Sequence, residues 1–240
     1  MKQIKYISIF ILLFGFSFAL VQCTKDEATK IELKGSKIEY RTSNPCAPDL
    51  GNNPNCDSVS FDYFISIPMY PSCQFRVQFL YWECIDGLGN IAYHITDYQI
   101  ISHDCAQYSI DLQNAMNNGT INAFNITFGK QIWNSITLFL LSSTSPNYNV
   151  LSANYYTASC TKDCYWKSKN GLWVGWRYSC GENCCRARRT YNYINGQWTL
   201  TNTRIDFPSD PCYGARPVSC PDGRDAYSTD CSPQCEAINF

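Results

Sequence analysis

Histidine is almost missing from this chain: His94 and His103 are the only two in 240 residues. So few imidazoles leave little room for a histidine-based metal centre or proton relay. The nearest carboxylates, Asp97 and Asp104, stand at odd separations from them. On an extended strand an odd separation puts two side chains on opposite faces. Glu83, Asp86, Asp97, Asp104 and Asp111 are scattered acids, with no spacing that pairs them for acid–base work. The phosphate loop, the dinucleotide fingerprint and the calcium loop are all lacking. No catalytic residue, cofactor or metal is therefore assigned, and the reading leans away from an enzyme.

Net positive charge is lacking too. The chain has 19 basic and 20 acidic residues, a formal net charge of −1. That excludes the global basic field of a nucleic-acid binder. Long apolar runs are scarce: residues 6–21 form the one candidate. At about 16 residues it falls short of the roughly 20 that a spanning helix needs.

What precedes and follows that run is informative. Lys2 and Lys5 supply a positive start, and Gln22 breaks the apolar run. This is the order of a secretory signal, which is removed on export. Leu20-Val21-Gln22-Cys23 resembles the lipobox of bacterial lipoproteins, with Gln22 where that family carries Gly, Ala or Ser. Thr24-Lys25-Asp26-Glu27 is similar to the Lys-acid-acid export signal of Bacteroidota surface lipoproteins. The resemblance implies cleavage before Cys23, acylation of its sulfur and an address on the outer face of the outer membrane. Its partner would be the lipid bilayer, since acyl chains contribute about 0.8 kcal/mol per buried CH₂. Loss of residues 1–22 removes two lysines and leaves a net charge of −3.

Cysteine is the abundant residue, with 15. If Cys23 carries lipid, an even set of 14 remains: Cys46, Cys56, Cys73, Cys84, Cys105, Cys160, Cys164, Cys180, Cys184, Cys185, Cys212, Cys220, Cys231 and Cys235. In an exported chain this density reads as a disulfide framework whose pairing stays open. Five of these precede residue 160 and nine lie from Cys160 onward, both odd numbers. One bridge should therefore cross the boundary. Cys184 and Cys185, on an extended strand, point to opposite faces and should take different partners. C-x3-C spacings at Cys160/Cys164, Cys180/Cys184 and Cys231/Cys235 also permit zinc, but export favours disulfides.

The pattern along the chain predicts a mainly β protein, antiparallel and sandwich-like, with one short helix and a disulfide-rich C-terminal β region. After the leader (1–22), residues 23–43 are polar and read as lipidated N-terminus and tether. Residues 44–159 read as an antiparallel β domain, and 160–240 as a cysteine-rich β region fastened to it. In 58–68, Val59, Phe61, Tyr63, Ile65 and Ile67 alternate; in 73–84, Phe75, Val77, Phe79 and Tyr81 do. The turn at 86–90 then leads into a strand at 91–102. Residues 106–119 change to a helical period and stop at Asn118-Gly119. Residues 131–143 and 148–160 read as further strands.

Asn195-Gly196 between alternating segments marks a two-residue hairpin turn. That register sets Ile194 against Gln197, Tyr193 against Trp198, Tyr191 against Leu200 and Arg189 against Asn202. The other face, with Arg188, Thr190, Asn192, Thr199, Thr201 and Thr203, is polar and should meet water.

Charge is uneven. Residues 160–204 hold eight basic and two acidic side chains among several aromatics. Guanidinium pairs with carboxylate or sulfate, and flat rings stack on sugars. Trp173, Trp176, Arg188, Arg189 and Trp198 are the candidate ligand-binding set, for a glycan, an anionic polymer or a protein. The leading expectation is an anchored binding or adhesion module. An accessory subunit of an outer-membrane complex is the alternative, and a tethered hydrolase a more distant one.

Overall fold

A computed structural model describes Cys46, Pro48, Leu50, residues 53–220 and residues 227–240. The expected leader, Cys23 and the tether to residue 43 lie outside the described residues. Ten strands and two α-helices follow in the order β1 (Cys56–Ile67), β2 (Tyr70–Ile85), β3 (Ile91–His103), α1 (Ala106–Asn117), α2 (Ile121–Ser143), β4 (Val150–Ala158), β5 (Cys160–Lys167), β6 (Trp173–Ser179), β7 (Cys184–Ile194), β8 (Gln197–Asp206), β9 (Tyr227–Ser228) and β10 (Ser232–Pro233). A short 3-10 helix, Cys235–Ile238, follows. The protein is mainly β, as its alternating segments predict, and its sheets are largely antiparallel.

The main sheet has six strands in the order β1-β2-β3-β4-β7-β8. The turn from β2 to β3 is tied by Asp86, whose Oδ1 accepts from the amides of Leu88 and Asn90, both at 2.8 Å. Gly89 completes the turn at φ 76°. The one parallel pair is β3 with β4. Parallel neighbours need a long crossover, and here both helices form it.

That crossover corrects one expectation. Residues 131–143, read above as a strand, are the second half of the 23-residue helix α2. Its buried positions Ile121, Asn125, Phe128, Ile132, Trp133, Ile136 and Leu140 recur at three- and four-residue steps, the spacing of one helix face. β-branched and aromatic residues bias the segment toward strand, but such propensity is weak against tertiary burial. The described residues thus hold two α-helices rather than one. The other predicted helix stands: α1 begins after Cys105, whose sulfur accepts the Tyr108 amide at 3.4 Å, and ends before Gly119 at φ 69°.

α2 covers one face of the main sheet. Phe139 meets Phe61 at a ring separation of 4.5 Å. Phe128 meets Phe75 at 5.4 Å, and Trp133 meets Tyr155 at 5.6 Å. Phe75, Val77, Phe79, Ile95, Leu151, Tyr155 and Ala187 on this side are buried. The layer against the main sheet is therefore helical. The C-terminal segment joins it: Gly129 of α2 passes so close to Ala237 that a Cβ there would lie 3.1 Å from the Ala237 Cβ.

β5, β6 and β10 form a second, smaller sheet, with β9 paired to β5. It extends the same core through Tyr165 and Trp173. Asp163 on β5 is buried but fully partnered. It accepts from Arg177 Nε at 2.9 Å and from Asn125 Nδ2 at 2.7 Å. Burial works against the Arg177 charge, but Asp163, Tyr98 and Tyr165 together outweigh it and hold the guanidinium above its usual range.

All 14 cysteines of the expected set are bridged: Cys46–Cys184, Cys56–Cys84, Cys73–Cys105, Cys160–Cys212, Cys164–Cys220, Cys180–Cys231 and Cys185–Cys235. Cys46–Cys184 is the one bridge that crosses residue 159/160. Cys184 and Cys185 take different partners, as their alternation requires. No C-x3-C pair closes on itself. Hydrogen bonding also runs across the 159/160 boundary, because β4 pairs with β7 over nine residue pairs from Val150↔Asn192 to Ala158↔Cys184. The segments 44–159 and 160–240 thus share one sheet.

Candidate functional site

The five residues singled out in the sequence do not converge. Trp173 is buried, and its indole donates to Gln113 Oε1 at 2.9 Å. Arg189 is buried too, its guanidinium carbon 3.7 Å from the centre of the Phe240 ring. Trp198 packs against Tyr193 at 5.2 Å, beside the core. Trp176 sits on the small sheet, edge-on to Trp166 at 5.6 Å. Arg188 alone of the five is on the face of the main sheet turned away from α2, where it is exposed.

One register correction matters here. The β7–β8 hairpin follows the predicted pairing from Ile194↔Gln197 to Tyr191↔Leu200. It then slips by one residue between Thr190 and Tyr191. Arg189 consequently faces Thr203, not Asn202, and Arg188 faces Arg204. The slip is a bulge, which no local pattern announces.

On the face turned away from α2, one row of side chains runs across the strands. Ser58 pairs with Trp82, Trp82 with His94, His94 with Asn154, Asn154 with Arg188 and Arg188 with Arg204. Directly opposed residues share a face and bring their side chains together. The contacts agree. Arg188 Nε donates to Asn154 Oδ1 at 3.0 Å, and Asn154 Nδ2 donates to the Tyr93 carbonyl at 3.2 Å. Asn154 is thereby used at both ends and fixes one edge of the guanidinium. Its Nη groups remain to meet an oxyanion.

Beside this row lie Tyr156 and Arg186, partners across β4 and β7. His94 stacks on Tyr156, with rings 5.8 Å apart and 16° from parallel, and its Nδ1 is 3.0 Å from the tyrosine hydroxyl. Burial and the Arg188 charge both push the His94 imidazole down. Burial pushes the Tyr156 phenol up against the pull of Arg186 and Arg188. His94 is thus neutral at pH 7 and the phenol keeps its proton. Charge on this face comes from the arginines, and flat surface from Trp82 and the Tyr156–His94 stack.

Asp206 stands directly across from Arg186 on β8 without closing an ion pair with it. Among the described residues, no carboxylate lies within ion-pair distance of Arg186, Arg188 or Arg204. Arg76, toward the other end of the sheet, is by contrast held by Asp62 through two contacts at 2.6 and 2.9 Å. The positive region of this face is therefore localised over β7 and β8.

Sequence reasoning missed Trp82, His94 and Tyr156 as members of a site. The Trp82–His94 pair was within reach, since the turn at 86–90 sets that register. Their approach to Arg188 was not, because it depends on β4 joining β3 in parallel after a two-helix crossover. His103 serves the fold instead: its Nε2 donates to the Trp173 carbonyl at 2.7 Å and its Nδ1 accepts the Cys105 amide at 3.2 Å. No group of three His, Cys, Asp or Glu gathers at metal-binding distance among the described residues. A shallow groove of about 390 Å³ between the helices, lined by Asp111, Asn114, Phe124 and Thr127, brings no cluster of charge.

These features define a disulfide-stapled, mainly β module with one helix-covered sheet face and one that, among the described residues, carries no covering layer. The chain matches no family model, no curated protein and no solved structure.

Proposed function

We propose that this chain is an outer-membrane-anchored surface lipoprotein whose folded body is a binding or adhesion module for an acidic glycan. Anchoring is supported by the order of Lys2 and Lys5, apolar run, Leu20-Val21-Gln22-Cys23 and Lys25-Asp26-Glu27. Cys23 is the one cysteine left over once seven bridges are counted. Seven disulfides also suit an oxidising, extracytoplasmic address.

Binding rests on one observation: Arg188, exposed, held by Asn154 and unpaired with any carboxylate among the described residues, lies on the sheet face turned away from α2, beside the Tyr156–His94 stack. Guanidinium groups so placed take carboxylate or sulfate in charge-assisted hydrogen bonds. Adjacent rings supply a flat apolar surface for a sugar.

The test has two arms. Radioactive palmitate should label the wild-type chain in its own envelope and leave Cys23→Ala unlabelled. Residues 24–240, screened on a glycan array, should retain acidic glycans over their neutral counterparts. Arg188→Ala should weaken that retention about tenfold, the scale of one lost charged hydrogen bond. Equal retention of neutral and acidic glycans, or none of either, would sink the binding half without touching the anchor.

A further inference from the structure

We propose that the ligand is a linear acidic polysaccharide lying across the strands, along the row Trp82–His94–Asn154–Arg188–Arg204. This deepens the acidic-glycan reading and rests on it. The row runs over five adjacent strands, β2, β3, β4, β7 and β8, with no interruption in register at any of its pairs.

Neighbouring strands stand about 4.8 Å apart, so the row is about 19 Å long. A single small anion needs one guanidinium. Here the features are spread instead: an indole at one end, an imidazole–phenol stack near the middle and two arginines at the other end. Arg204 stands on the edge strand β8, exposed. Among the described residues no carboxylate lies within ion-pair distance of it. The spacing between strands is close to one pyranose, so the row offers roughly one strand per sugar.

Shape favours a chain that turns. Adjacent strands rotate by roughly 20–25°, so the row winds through about a quarter turn between Trp82 and Arg204. A helical polysaccharide can follow that surface. Nucleic acid is a poorer match: single strands are held by successive stacking rings, and the arginine end of this row has none.

Two size ladders test the inference, oligogalacturonates and heparin-derived oligosaccharides, each from disaccharide to decasaccharide, titrated calorimetrically into residues 24–240. Affinity for at least one ladder should climb with length and level off at about four to five sugars, the number of strands crossed. Arg204→Ala should weaken the longest oligomers about tenfold and shorten by about one sugar the length at which affinity levels off. Trp82→Ala should weaken the longer oligomers in the same selective way. Both positions are exposed or half-buried on the open face, and unchanged circular dichroism would confirm that the variants fold.

Length-independent affinity, or an Arg204→Ala variant that binds long oligomers as wild type does, would overturn the track and leave the acidic-glycan reading standing. Failure of both ladders together with a negative array would overturn both. Inorganic polyphosphate is the control for charge without rings: if it binds as tightly as the best oligosaccharide, the polysaccharide assignment is wrong.

Discussion

His103 binds two parts of the fold through one imidazole. Nδ1 accepts the Cys105 amide, which leaves the proton on Nε2 for the Trp173 carbonyl. A second proton on Nδ1 would face an N–H. Burial pushes this imidazole down, against the smaller opposing effects of the Trp173 carbonyl and Asp104. In the unfolded chain its pKa returns to about 6.5. The unfolded state then binds more protons below that pH, and stability falls with acidification. Urea midpoints for residues 24–240 should therefore be flat above about pH 6.5 and drop below it. His103→Gln should start lower at pH 7 and decline less steeply. An unchanged slope would mean that His103 is not the titrating group. The residue scale also shows how little of the site was readable locally. Trp173 and Arg189 carry the right chemistry in the right stretch, yet both turn inward, because their strands place them against α1 and Phe240.

At the scale of elements, the alternating segments and the two glycine-marked turns were legible. Asn195 and Gly196 adopt φ 51° and 84°, the left-handed pair that a two-residue hairpin loop requires. Valine at position 196 would meet this conformation with a β-branched side chain, at a cost of about 1–3 kcal/mol. Gly196→Val should speed amide hydrogen exchange along β8 while α2 stays protected; uniform acceleration would show that the hairpin is not a separate unit. α2 was not legible as a whole. Its second half, Gln-Ile-Trp-Asn-Ser-Ile-Thr-Leu-Phe, is rich in strand formers. What makes it a helix is the sheet beneath, which accepts Ile132, Trp133, Ile136 and Leu140 as one face. The β7–β8 bulge is a similar case, and it alone decides that Arg188 and Arg204 stand side by side.

At the scale of the whole molecule, Cys46–Cys184 closes the longest loop, with a sequence separation of 138. Chain-entropy arguments assign such a crosslink about 4–5 kcal/mol. The double variant Cys46→Ser, Cys184→Ser should therefore lower the unfolding temperature markedly under non-reducing conditions, while its far-ultraviolet spectrum stays that of a β protein. No change in unfolding temperature would show that the shared β4–β7 pairing, not the bridge, joins the two segments. The odd counts of five and nine cysteines already called for such a crossing, or else for a free thiol in each part, because parity survives ignorance of connectivity. Alternation likewise sent Cys184 and Cys185 to different partners. These inferences need only neighbours in the chain: period, turn chemistry and counting are local properties. The surface is different. Trp82, His94, Asn154, Arg188 and Arg204 come from five strands spread over more than 120 residues. Their alignment depends on a parallel pairing across two helices and on one bulge, both set by how the core packs. Burial, which turns one arginine inward and leaves the next in water, is a property of the assembled layers and of no segment alone.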